Sequence, residues 1–157
     1  KYAMTGFRLG YGAGPEEGIA TMTKLLENVL SSVNEGIQWG GVAALTGDQS
    51  PVEEMKEQYR RRRQIIVEGL NAIDRISCLA PMGAFYAFPN IKAFGKTSQA
   101  FAEELLENAG VVTVPGSAFG DMGEGYLRLV FANSDENLKE AVRRIADYVA
   151  RAYPGIK

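Results

Sequence analysis

Histidine is absent from this chain of 157 residues, and cysteine occurs once, at Cys78. Without histidine there are no imidazole metal ligands, no Ser-His or Cys-His nucleophile pairs and no imidazole general base. One cysteine excludes an intramolecular disulfide and suits a reducing, cytoplasmic compartment. No apolar run approaches the roughly 18–20 residues needed to span a bilayer, so no membrane partner is expected. An excess of one charge is also missing: 17 basic residues stand against 19 acidic ones. No global field draws the chain to nucleic acid. The opening Lys-Tyr-Ala-Met-Thr-Gly has no signal-peptide pattern and reads as the start of a fragment, or of a chain broken at a modified residue.

What is present is an ordinary globular composition, 46% hydrophobic, with strong periodicity. Residues 7–13 alternate large and small groups and read as a strand with close backbone neighbours. Pro15 opens a helix with Ile19, Met22, Leu26, Val29 and Val33 on one face. After a break at 34–36, Ile37, Val42 and Leu45 mark a second helix. Ser50, Pro51 and Glu53 form a helix start with a capping box, and Val52, Met55, Tyr59, Ile66, Leu70 and Ile73 carry one face for about six turns.

Beyond Asp74 the period changes. Residues 84–88, 111–114 and 126–131 read as strands, and 97–109 as a helix with Phe101, Leu105 and Leu106 apolar and Gly110 as its stop. Ser134 caps a last helix whose core face is Leu138, Val142, Ile145 and Val149. The expected class is α/β. A strand and connecting helices come first (1–50). An α+β small domain follows (51–157), with a small mixed sheet in the order β-α-β-β-α covered by helices on one face.

Few residues stand out as chemically loaded. Arg8 sits among small residues that would let a ligand approach the backbone, and its planar fork suits a phosphate; a surface arginine at a strand end fits equally. Arg128 stands alone inside the apolar run Leu127–Val130 and needs an anionic partner or a wet face. It reads either as a solvated arginine or as a carboxylate clamp. The segments 82–86 and 112–120 are bounded by Gly and Pro; such strand ends fix loops that can face a cleft, and plain turn chemistry is the favoured reading of them taken alone. The run Arg60 to Arg63 fans around a helix turn, which suits a solvated or inter-domain helix and not a nucleic-acid stripe. Cys78 is read as a structural thiol and Trp39 as core.

Taken in register, Ala3, Met4, Gly6, Arg8, Leu9 and Gly10 resemble the cofactor-site signature of class I/II aminotransferases, the aspartate-aminotransferase-like branch of the fold-type I pyridoxal-phosphate enzymes. Gln38-Trp39, Tyr59-Arg60-Arg61-Arg62-Arg63, Gly83-Ala84-Phe85-Tyr86, Val114-Pro115-Gly116 with Phe119-Gly120, and Leu127-Arg128-Leu129 follow in that family's order. The resemblance covers essentially the whole chain as a C-terminal portion, and it implies that 1–50 is the end of a cofactor-binding large domain, with the end of its sheet and connecting helices, and 51–157 the small domain with the long inter-domain helix. It implies pyridoxal 5'-phosphate as cofactor, with Arg8 on its phosphate. Arg128 would hold the substrate α-carboxylate. The substrates would be an amino acid and a 2-oxo acid, in a homodimer. It places the Schiff-base lysine one residue before Lys1; Lys1 itself occupies a variable position, so no catalytic residue and no metal ligand is assigned within the chain. Carbon–sulfur lyase chemistry and a non-catalytic effector domain are the alternatives.

Overall fold

The computed structural model describes residues 1–154; the last three residues of the expected small domain, 155–157, lie outside the described residues. The chain divides into two compact units, one of Lys1–Met55 and one from Lys56 onward.

The first unit is helical. A 3-10 turn, Thr5–Phe7, precedes α1 (Glu16–Val29) and α2 (Glu35–Thr46). Glu16 and Glu17 in the first turn of α1 favour its positive N-terminal end. Asn34 caps α2 by accepting from the Ile37 amide. The expected strand at 7–13 does not form. A strand needs a ladder partner, and both remaining elements of this unit are helices whose backbone groups bond internally. Arg8 instead takes a left-handed conformation, φ 52°, and its amide closes the 3-10 turn on the Thr5 carbonyl. Val33 lies past the end of α1. No described residue of the unit is fully buried, so the apolar stripes of α1 and α2 remain largely open. Trp39, read as core, is 64% exposed and turns its indole N–H toward Glu35.

α3 (Ser50–Asn71) begins one residue before the start expected at Pro51, with Ser50 inside the helix instead of capping it. The Ser50 amide and hydroxyl both donate to the Asp48 carboxylate, and the Val52 and Glu53 amides donate to the Gln49 carbonyl. In the second unit β1 (Tyr86–Ala87), α4 (Ser98–Ala109), β2 (Val114–Pro115), β3 (Leu127–Val130) and α5 (Asp135–Ala152) follow. The strands form a three-stranded sheet in the order β1-β3-β2. Both pairings are antiparallel, so the expected mixed sheet is corrected. Because β1 and β2 each pair only with β3, they run parallel to each other on its two sides, and α4 carries the chain across from one to the other, so no two neighbouring strands are parallel.

The strands are shorter than the sequence suggests, for local reasons. Ala84 has φ 59° and ends the extended run before Tyr86. Val111 to Thr113 are not strand: the amides of Gly110 and Val111 donate to Leu106 and Leu105 and finish α4 in a left-handed Gly110 cap. One core joins the elements. Ile66 and Leu70 of α3, Phe101 and Leu105 of α4, Leu138, Ile145 and Val149 of α5, and Ala87, Leu127 and Leu129 of the sheet are buried together. Leu106, expected on the core face of α4, is half exposed.

Candidate functional site

β3 alternates as its sequence demands. Leu127 and Leu129 are buried, whereas Arg128 is half buried and Val130 exposed on the other face. Antiparallel partners share a face, so Tyr86, opposite Val130, and Val114, opposite Arg128, join that second face. The central position of β3 thus sets one cation in the middle of an aromatic surface. The Arg128 guanidinium carbon lies 4.6 Å from the Tyr86 ring centroid and 4.5 Å from that of Phe119. Phe88 stacks on Tyr126 at 5.4 Å and meets Phe119 edge-on at 6.3 Å. Arg128 Nε is buried and has no hydrogen-bond partner, and no carboxylate among the described residues pairs with this guanidinium.

Phe119 reaches Arg128 because of the loop after β2. A 3-10 turn, Gly116–Phe119, is followed by Gly120 at φ 108° and a second turn, Asp121–Gly123. The Gly116 amide donates to the Tyr126 carbonyl at 2.8 Å. Ser98, fully buried at the start of α4, ties the return to β3: its hydroxyl accepts from the Gly125 amide at 2.8 Å and from Tyr126 at 3.3 Å. Its amide donates to Glu124 at 2.7 Å. The segment 112–120, for which the sequence favours turn chemistry over a loop facing a cleft, therefore brings Val114 and Phe119 to Arg128. Ser98 carried no signal in the sequence beyond being a polar residue at a helix start.

Arg8 belongs to the first unit and is exposed. Its only side-chain hydrogen bond among the described residues is a long one, 3.4 Å, from Nη1 to the Thr5 carbonyl. Space is open around Gly6 and Gly10, where a Cβ would meet nothing within 4 Å. An exposed guanidinium beside unobstructed backbone fits a phosphate. Lys1, seven residues before Arg8, sets its ammonium 5.1 Å from the Tyr2 ring.

The arginine run is accounted for within the second unit. Arg61 Nε lies 2.7 Å from Asp135 at the start of α5, and Arg62 Nε 3.6 Å from the same carboxylate. Arg60 pairs with Glu57, and Arg63 donates to the Pro81 carbonyl at 3.1 Å. Cys78 is buried, and desolvation pushes its thiol above the ordinary value despite a backbone hydrogen bond at Phe88. That makes it an inert structural thiol. Among the described residues no helix is long and apolar enough to cross a membrane.

Comparison with known proteins identifies the family. Residues 1–145 match the family model of aminotransferase class I and II. The chain belongs to that family. It is 48% identical to an aspartate aminotransferase of Pyrococcus horikoshii over 146 residues, which is 92% of this chain and 37% of that protein. It is 39% identical to an LL-diaminopimelate aminotransferase of Moorella thermoacetica, over 92% of this chain and 36% of the relative. Among solved structures, an aromatic aminotransferase from Pyrococcus horikoshii superposes with a TM-score of 0.90 at 40% identity, over 96% of this chain and 40% of the other. An aspartate aminotransferase from Rhizobium meliloti gives 0.85 at 41%, over 96% and 40%. The chain thus spans well under half the length of the relatives it matches.

Proposed function

We propose that this chain is the C-terminal part of a pyridoxal-phosphate-dependent aminotransferase that moves an amino group between an amino acid and a 2-oxo acid. The observation that carries the reading is Arg128. It is a half-buried guanidinium with no anionic partner among the described residues, set alone on an aromatic sheet face, in a chain whose relatives bear aminotransferase names. A charge in that position needs a counter-ion, and a substrate α-carboxylate supplies one with matching planar geometry.

Residues 1–50 are the end of the cofactor-binding domain with its connecting helices, and 51–157 the small domain. Arg8 holds the cofactor phosphate; an arginine keeps its charge at any working pH and offers a fork of donors. Pyridoxal phosphate held there would supply an electron sink for loss of the substrate Cα proton. Arg128 fixes the carboxylate end of the substrate and so limits rotation about the bond to Cα, which orients the departing proton. The lysine that exchanges that proton is the one the family pattern places immediately before Lys1. The intact enzyme works as a cytoplasmic homodimer.

The test is a product assay on the full-length protein supplied with an amino acid and a 2-oxo acid. Appearance of the new amino acid and the new 2-oxo acid in equal amounts supports transfer. Ammonia and a 2-oxo acid from a single substrate would replace the reading with a lyase.

A further inference from the structure

An arginine that must receive an anion has two requirements that conflict. It must be held still, since its long side chain otherwise loses rotamer freedom each time ligand binds. It must also stay uncompensated, because a neighbouring carboxylate would occupy its donors. Most arginines here are held by acidic groups or a carbonyl: Arg61 by Asp135, Arg143 and Arg144 by Glu140, Arg63 by the Pro81 oxygen, while Arg62, 5.8 Å from the Tyr59 ring, still has Asp135 at 3.6 Å. Arg128 is held differently. Tyr86 on β1 and Phe119 beyond β2 reach it from the two strands that flank β3, with ring centroids 4.6 and 4.5 Å from its guanidinium carbon.

We propose that Tyr86 and Phe119 are positioning residues of the substrate clamp: the two rings fix the Arg128 guanidinium by cation–π contact and leave its terminal nitrogens for a carboxylate. This inference rests on the reading of Arg128 given above. An aromatic face attracts a cation without offering a hydrogen-bond acceptor, so it restrains the side chain and does not compete with the ligand. Two further observations agree. Arg128 Nε is buried without a partner, as expected of a guanidinium enclosed by rings at its base. Phe119 is 51% exposed and absent from the buried core, so core packing does not explain its place. Its ring meets the Arg128 guanidinium and the edge of Phe88.

The experiment uses the full-length, cofactor-loaded protein and a double-mutant cycle. Phe119→Leu, Arg128→Ala and the double variant are compared for amino acid KM and kcat, with Phe119→Tyr as the variant that keeps a ring. Phe119→Leu is expected to raise KM roughly tenfold with kcat changed far less, the factor that a desolvated cation–π contact corresponds to. Phe119→Tyr recovers most of that loss. In the Arg128→Ala background Phe119→Leu adds nothing, because the ring acts through the arginine. An unchanged KM in Phe119→Leu overturns the positioning role and leaves the clamp intact. An equal KM rise in the Arg128→Ala background also overturns it, since the ring would then touch substrate directly. An unchanged KM in Arg128→Ala alone overturns the clamp reading itself, and the positioning role with it. Unfolding midpoints measured alongside separate these effects from misfolding: Phe119→Leu should match the parent within a few degrees, and a larger drop accompanied by a kcat loss overturns the proposal in favour of a structural ring.

Discussion

Gly116 and Gly123 touch backbone to backbone. A Cβ built on Gly116 would stand 2.1 Å from the Gly123 carbonyl oxygen, and one on Gly123 2.0 Å from that of Gly116. No side chain can yield there, because the obstruction is main chain. The contact folds the loop that carries Phe119 back toward β3.

Gly116→Ala is therefore expected to cost about 1–3 kcal/mol of stability, the range for forced overpacking. It should also disturb substrate binding, since the loop must open to admit the methyl group. Denaturant unfolding and KM of the full-length variant check this. A variant as stable as the parent would show that the loop reopens freely.

Ser98→Ala leaves the amides of Gly125 and Tyr126 without the hydroxyl they now use. Burying unpaired donors costs about 1–3 kcal/mol. The expected outcome is a fall of that size in unfolding free energy, with faster hydrogen exchange at Gly125 and Tyr126. A loss under about 0.5 kcal/mol would mean that water replaces the serine, as for an ordinary surface site.

Glu104 clasps the end of α5. Tyr148 and Tyr153 donate to one carboxylate oxygen at 2.7 and 2.6 Å, and Lys96 lies 2.8 Å from the other. Burial opposes ionisation of Glu104, but the hydrogen bonds from Lys96, Tyr153 and Tyr148 outweigh it and hold the carboxyl below its ordinary value. Desolvation, then Glu104 itself, pushes both tyrosines up. A lowered acid stabilises the fold above its unfolded value and loses that effect as pH falls through the folded one. A raised tyrosine stabilises below its unfolded value and loses the effect as pH rises. Relative to the parent, Glu104→Gln should lose about 1–2 kcal/mol near neutral pH. The difference should close as pH drops below the ordinary glutamate range. A gap that persists at low pH would contradict the charge-based account.

The two arginines should separate by what they lose. Arg128→Ala removes charged hydrogen bonds to a carboxylate and should raise amino acid KM about a hundredfold. Cofactor content should stay unchanged. Arg8→Ala should release cofactor on dialysis. Bound-cofactor absorbance that survives dialysis in Arg8→Ala would remove the phosphate assignment.

Cys78 should label with a thiol reagent only as the protein unfolds, because it is buried and burial raises its thiol. The labelling rate should follow denaturant. Fast labelling of the native protein would show that the segment around Cys78 opens locally.

The sequence by itself determined the helices and most of their starts, and it set Arg8 and Arg128 apart from the other arginines. Ser134 accepts from the Asn137 amide, Thr97 from Ala100, and Gly110 ends α4, because caps and stops act within a turn and need no distant partner. Arg128 could be singled out because alternation along a strand is also local. Only the tertiary structure decided what surrounds these residues. The strand expected at 7–13 depends on a ladder partner that no other segment of its unit supplies. Asp135 meets Arg61 and Arg62 across more than seventy positions, and no spacing rule predicts that pair. The rings of Tyr86 and Phe119 reach Arg128 because β1 and β2 both pair with β3, and strand order is a long-range property that periodicity does not encode.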